Sequence, residues 1–149
     1  MDSKKFKSLF NAEALKHGFQ FKFGGWFKQS SECILILTLQ KSSYSDLYYL
    51  NIKIYVNGMV ETMHINNKEL TQKLPGNLFR RQPKEFDEIF DLDLPMTDDK
   101  REQGLELFFT EYMVPFSEKA LTLEGLKKLW KDNQLFFTAA DKRFFSLPL

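Results

Sequence analysis

The sequence predicts an α+β fold: an antiparallel sheet of about four to five strands, with an N-terminal helix and two C-terminal helices packed on one face. Three observations predict it. Apolar residues recur at helical spacing near both ends of the chain, they alternate with polar residues through the middle, and short turn signals separate the alternating runs. At 149 residues the chain is sized for a single domain, residues 1–149. The composition, 43% hydrophobic and 28% charged, excludes a disordered or collagen-like chain. The 16 phenylalanines predict a core built on rings.

Taken in order, Ser3 can cap a helix over about residues 4–17 whose apolar face is Phe6, Leu9, Phe10 and Ala14, with Gly18 as its stop. Phe19, Phe21 and Phe23 alternate with Gln20 and Lys22 as in a half-buried strand, and Gly24-Gly25 reads as a hairpin turn before Trp26 and Phe27. The run Cys33 to Gln40 is apolar on both faces at its centre, which places it inside the sheet. From Leu47 to Val56, Leu50, Ile52, Ile54 and Val56 share one face, while Tyr49, Asn51, Lys53 and Tyr55 share the other. Asn57-Gly58 signals a turn, with a short extended segment from Met59-Val60 onward. Asn66-Asn67 and Pro75-Gly76 punctuate a less regular region, and Leu78 to Gln82 forms a last strand stopped by Pro83.

Thr97 caps the clearest helix. Leu105, Phe108, Phe109, Tyr112, Met113 and Phe116 follow its period, and Pro115 should kink or end it. Thr122 caps a second C-terminal helix to about Asn133, with Leu123, Leu126, Leu129 and Trp130 on its apolar face. The tail from Leu135 to Phe145 is too aromatic to stay in water, so it docks on the core or on a partner.

Charge narrows the functional classes. Residues 1–84 carry 13 basic and 6 acidic side chains, residues 85–106 carry 2 and 9, and residues 107–149 carry 6 and 5. The acidic block has two readings. It is a solvated loop running into a helix start, where carboxylates suit the macrodipole, or it is a docking surface for a basic protein centred on Asp91, Asp93, Asp98 and Asp99. The basic excess is spread out and no nucleic-acid-binding motif is visible, so no nucleic-acid partner is expected. No run reaches the length of a membrane span and no apolar segment follows the charged N-terminus, so a cytoplasmic protein is expected.

The chemistry-bearing residues are sparse. Gly24-Gly25 lacks the spacing of a phosphate-binding loop, and nothing resembles a nucleophile elbow. One cysteine and two histidines exclude a disulfide and a cysteine/histidine zinc site. Cys33 opens an apolar strand and reads as an inert thiol, and His17 reads as a helix-end residue. Asp87, Glu88, Asp91 and Asp93 lack the pattern of a calcium loop, so no metal and no cofactor is expected. Arg80 and Arg81 point to opposite faces of their strand, so at most one joins the face bearing Tyr49, Asn51, Lys53 and Tyr55. There an arginine could hold a carboxylate or phosphate, or simply stack on a ring.

Several segments carry a family resemblance. These are the helix ending His17-Gly18-Phe19, the aromatic strand to Trp26-Phe27, the strand end Leu39-Gln40-Lys41-Ser42, the Tyr49-to-Tyr55 strand, and Arg80-Arg81. The helix ending Val114-Pro115-Phe116 before Leu121-Thr122-Leu123-Glu124-Gly125-Leu126 completes the set. In order and spacing they resemble the bacterial domain-of-unknown-function family numbered 4304, over nearly the whole chain. Members of that family often carry Trp shortly after the arginines, where this chain has Phe86 and Phe90. The family has no established activity, so the resemblance implies a fold more than a function. In size and style it is similar to small immunity proteins of bacterial toxin systems, an analogy of class. The expectation is a non-enzymatic protein-interaction domain, immunity-like in style. The alternative is a small anionic-ligand binder or enzyme at the polar-aromatic sheet face, using Arg80 or Arg81.

Overall fold

The computed structural model describes residues 1–59 and 67–149. The extended segment expected after Met59, and His64, lie outside the described residues. The first helix, α1 (Ser3–Lys16), starts one residue earlier than expected: Asp2, in an extended conformation, accepts the Lys5 amide at 2.7 Å and is the cap. Ser3 is therefore already helical. His17 closes the helix, with Gly18 just beyond it.

Five strands follow: β1 (Gln20–Lys22), β2 (Gly25–Gln29), β3 (Cys33–Lys41), β4 (Tyr48–Val56) and β5 (Leu78–Arg81). They form one antiparallel sheet in sequence order. The first hairpin turns at Phe23-Gly24, one residue before the expected Gly24-Gly25. Both turn residues have positive φ, +55° and +82°, as a two-residue turn matched to strand twist requires. Phe21 and Phe23 end up about half exposed and only Phe19 is buried, so alternation overstated the burial of β1. Two side-chain amides extend the β4–β5 pairing where β5 stops short. Asn77 Oδ1 accepts the Val56 amide at 2.8 Å, and Gln82 Oε1 accepts the Leu50 amide at 2.8 Å.

One sheet face carries Trp26, Leu35, Leu37, Leu50, Ile52, Ile54 and Leu78 against the helices. Phe10 of α1 meets Trp26 at 4.7 Å and Phe109 at 5.1 Å between ring centroids, and Phe6 stacks on Tyr48 at 5.5 Å. The C-terminal helical segment begins at Asp98 behind a Thr97 cap: α4 (Asp98–Leu107), a π-helical stretch (Phe108–Met113) and α5 (Val114–Ala120). Pro115 does not end it. The wider winding immediately before the proline lets Val114 bond five residues back, to the Phe109 carbonyl, and the helical path continues. A Thr122 cap opens α6 (Leu123–Lys131), two residues shorter than expected. The last helix, α7 (Ala139–Phe144), has a Thr138–Asp141 capping box. Leu135, Phe137 and Phe145 dock the aromatic tail on the core.

The other sheet face departs from expectation. The region read as irregular contains a short helix, α2 (Asn67–Gln72), which lies across that face and gathers Leu70 with Phe27, Ile36 and Tyr55. Gly25 permits the approach, since a Cβ there would sit 2.7 Å from Thr71 Cγ2 and 3.1 Å from the Leu37 carbonyl.

Candidate functional site

The residues expected to share an open face divide into two sets. Tyr55 is buried under α2, its hydroxyl 2.7 Å from the Leu70 carbonyl and 3.0 Å from that of Leu74. Burial pushes its pKa up to about 12. Lys53 is also buried and donates to the Thr71 carbonyl at 2.7 Å, and desolvation lowers its pKa. Both groups hold α2 in place.

The second set stays accessible. Pairing of Asn51 with Arg81 and of Ile52 with Arg80 puts Arg81 on the polar face and Arg80 on the helix side. The Arg81 guanidinium lies 4.1 Å above the Tyr49 ring, and its Nε points at Asn51 Oδ1 at 3.4 Å. Asn51 in turn donates to Gln40 Oε1 at 3.0 Å. Arg80 turns toward the loop after α6, donating to the Gln134 carbonyl at 3.0 Å and to Gln134 Oε1 at 2.9 Å. A cleft of about 460 Å³ opens there, lined by Arg80, Arg81, Lys84, Gln134 and Phe136 among others. Sequence reasoning missed Lys84, Gln134 and Phe136 in this role, because the loop supplying the last two is about fifty residues from the strand it meets. No local spacing signals it: Phe136 and Phe137 are identical neighbours in the sequence, and only the fold exposes the first and buries the second.

The acidic block wraps a buried cation. Between β5 and α4 lie a single 3-10 turn (Lys84–Phe86) and the one-turn α3 (Asp87–Phe90). Arg101 of α4 is 1% exposed and donates to the carbonyls of Glu88 (3.1 Å), Ile89 (2.7 Å) and Leu94 (3.2 Å). Burial lowers its pKa, while Asp91 and Asp98 oppose that shift. Part of the acidic charge is thus internal compensation. Asp98 also holds Lys5 at 2.8 Å and the N-terminal ammonium at 3.5 Å. The Lys5 hydrogen bond keeps its carboxyl below the ordinary carboxylate range. Asp91 Oδ1 accepts the Asp93 amide at 3.1 Å, and Asp93 Oδ2 accepts the Asp46 amide at 3.0 Å. Asp99 is exposed. A cleft of about 280 Å³ beside α3 is lined by Asp87, Glu88 and Asp91 with Leu47, Tyr49, Gln82 and Leu94.

Cys33 is a free, buried thiol whose pKa is pushed up to about 11 by desolvation, a condition that suppresses the nucleophilic thiolate. His17 stacks on Phe109 at 5.8 Å and lies 3.6 Å from Glu13. Among the described residues, no three histidine, cysteine or carboxylate side chains are grouped to hold a metal ion, and no helix is long and apolar enough to cross a membrane.

No curated protein and no solved structure matches the chain. One family model does, that of "Domain of unknown function (DUF4304)", over residues 10–119. The matched span runs from α1 through the whole sheet into α5, and by it the chain belongs to the DUF4304 family.

Proposed function

We propose that this protein is a non-enzymatic interaction domain that docks a basic protein through the acidic segment between β5 and α4. The observation that carries the reading is the cleft beside α3. Its lining combines the carboxylates of Asp87, Glu88 and Asp91 with Gln82 and with the apolar surfaces of Leu47, Tyr49 and Leu94. A lysine or arginine side chain has an aliphatic stem and a cationic head, and such a cleft suits both parts. In its immunity-like form, the partner is a toxin that this surface covers, and the encounter takes place in the cytoplasm. The small-anion alternative keeps Tyr49, Asn51 and Arg81, but Lys53 and Tyr55 are committed to α2.

The test uses the chain as bait in a lysate of its host. A variant with Asp87→Lys, Glu88→Lys and Asp99→Lys should lose a partner that the unaltered chain captures. Association of the purified pair should slow as salt rises, since screening acts over about 8 Å at physiological ionic strength. Asp98 is left out because its bond to Lys5 joins the N-terminal segment to α4. An identical set of captured proteins, or salt-independent association, sinks the reading.

A further inference from the structure

The cleft between β5 and the loop joining α6 to α7 has the opposite charge and is built differently from the acidic surface. Arg80, Arg81 and Lys84 fall within five residues, and none is ion-paired with a described residue. The two guanidinia are nevertheless held. Arg80 is fixed by Gln134 and by the Arg81 carbonyl (2.9 Å), and Arg81 by the Tyr49 ring and Asn51. All of these partners are neutral, so both guanidinia are oriented without a direct ion pair. Nη2 of Arg80 and both terminal nitrogens of Arg81 have no hydrogen-bond partner among the described residues. Oriented cations with spare donors suit carboxylate recognition, because much of the ordering cost is met before binding.

The rim adds an apolar element. Phe136 is 81% exposed, whereas its neighbours Leu135 and Phe137 are 5% and 2% exposed. The buried pair pins the backbone on both sides and presents the ring outward. Such a ring gains by being covered, which a small anion cannot do and a protein segment can. β5 is also the last strand of the sheet, so a chain laid along it can reach Arg80 on one face and Arg81 on the other.

We infer that this cleft docks an acidic, extended segment of a partner protein, with carboxylates on Arg80, Arg81 and Lys84 and an apolar side chain over Phe136. The site adjoins the acidic surface proposed above, since Tyr49 of that surface lies under Arg81 and Gln82 lines both clefts, but it is opposite in charge and needs a different partner chemistry. The probe is a fluorescein-labelled peptide of alternating glutamate and phenylalanine, titrated with the full chain and followed by fluorescence anisotropy. Binding is expected, and it should be lost when glutamine replaces glutamate in the peptide. An Arg81→Gln, Lys84→Gln double variant should weaken binding about tenfold or more, and Phe136→Ala should weaken it by about the same factor. Phe136→Ala should leave the melting temperature unchanged, and the double variant should lower it only slightly, through loss of the Arg81 stack on Tyr49. A Glu88→Lys, Asp99→Lys change, which spares the Asp87 bond to Gln82, should leave peptide affinity undiminished, which separates this site from the acidic one. The inference is overturned by no peptide binding, by equal binding by the double variant, or by displacement by inorganic phosphate with no effect of Phe136→Ala, which marks a small-anion site. Concentration-dependent dimers that vanish in the double variant also overturn it, by making the occupant a second copy of the chain.

Discussion

The two faces of the sheet are buried by different means. On one face, α1 and the C-terminal helices cover β2 to β5 with rings and aliphatic side chains, and Phe6, Phe10, Phe90, Phe108 and Phe109 have no exposed surface. On the other, the described cover is the six-residue α2, which packs Leu70 on Phe27, Ile36 and Tyr55. It is held by hydrogen bonds from Lys53 and Tyr55 as much as by Leu70, and it leaves Asn51, Gln40 and Arg81 at the surface. The same strand, β4, supplies residues to both. The contrast teaches that alternation along a strand reports which residues share a face. It does not report what covers the polar one.

The largest expected effect breaks the aromatic face. Phe109 meets Phe10, Phe19 and Phe108 and stacks with His17, with no exposed surface. Phe109→Ala should cost about 3–5 kcal/mol in urea melts, the usual loss for truncating a buried aromatic residue. A cost below about 1 kcal/mol would mean that the ring is not part of the central packing.

A smaller effect sharpens the contrast by acting on the other face. Gly25→Ala pushes a methyl group against Thr71 and the Leu37 carbonyl. The expected cost is about 1–3 kcal/mol, the range for overpacking. Amide exchange should speed up in α2 while β3 and the aromatic face remain protected. Uniform acceleration across the sheet would show instead that the two faces unfold as one unit.

The smallest effect belongs to the rim of the aromatic face, where Asp98 ties α4 to Lys5 and the N-terminus. The native carboxyl pKa is held down, chiefly by the Lys5 hydrogen bond. The stabilisation is therefore present above the unfolded-state pKa and disappears as pH falls through the native one. Asp98→Asn should lower the melting temperature slightly at neutral pH, and the difference from the parent chain should vanish in strong acid. A difference that persists there would assign the loss to geometry and not to charge.

Some of this organisation is legible in local pattern. The N-terminal helix, the helices behind the Thr97 and Thr122 caps, the β3 and β4 strands with their facing residues and the opposite directions of Arg80 and Arg81 all follow from periodicity and capping within a few residues, whereas α7 does not. The family resemblance rests on the same order of segments.

The sequence by itself determined the α+β class, the order of the main elements and the division of β4 into an apolar and a polar face, because each depends on short-range spacing of side chains. Only the tertiary structure decided that α2 crosses the polar face, that Arg101 gathers the acidic loop around it, and that Gln134 and Phe136 complete the cleft at β5. A helix of six residues has too few turns to display a period, so α2 forms where Leu70, Lys53 and Tyr55 hold it. An arginine in a charged helix start looks solvated until three carbonyls converge on it. Residues 80 and 134 become neighbours only when the tail folds back, and that proximity depends on packing between distant segments, which no local spacing encodes.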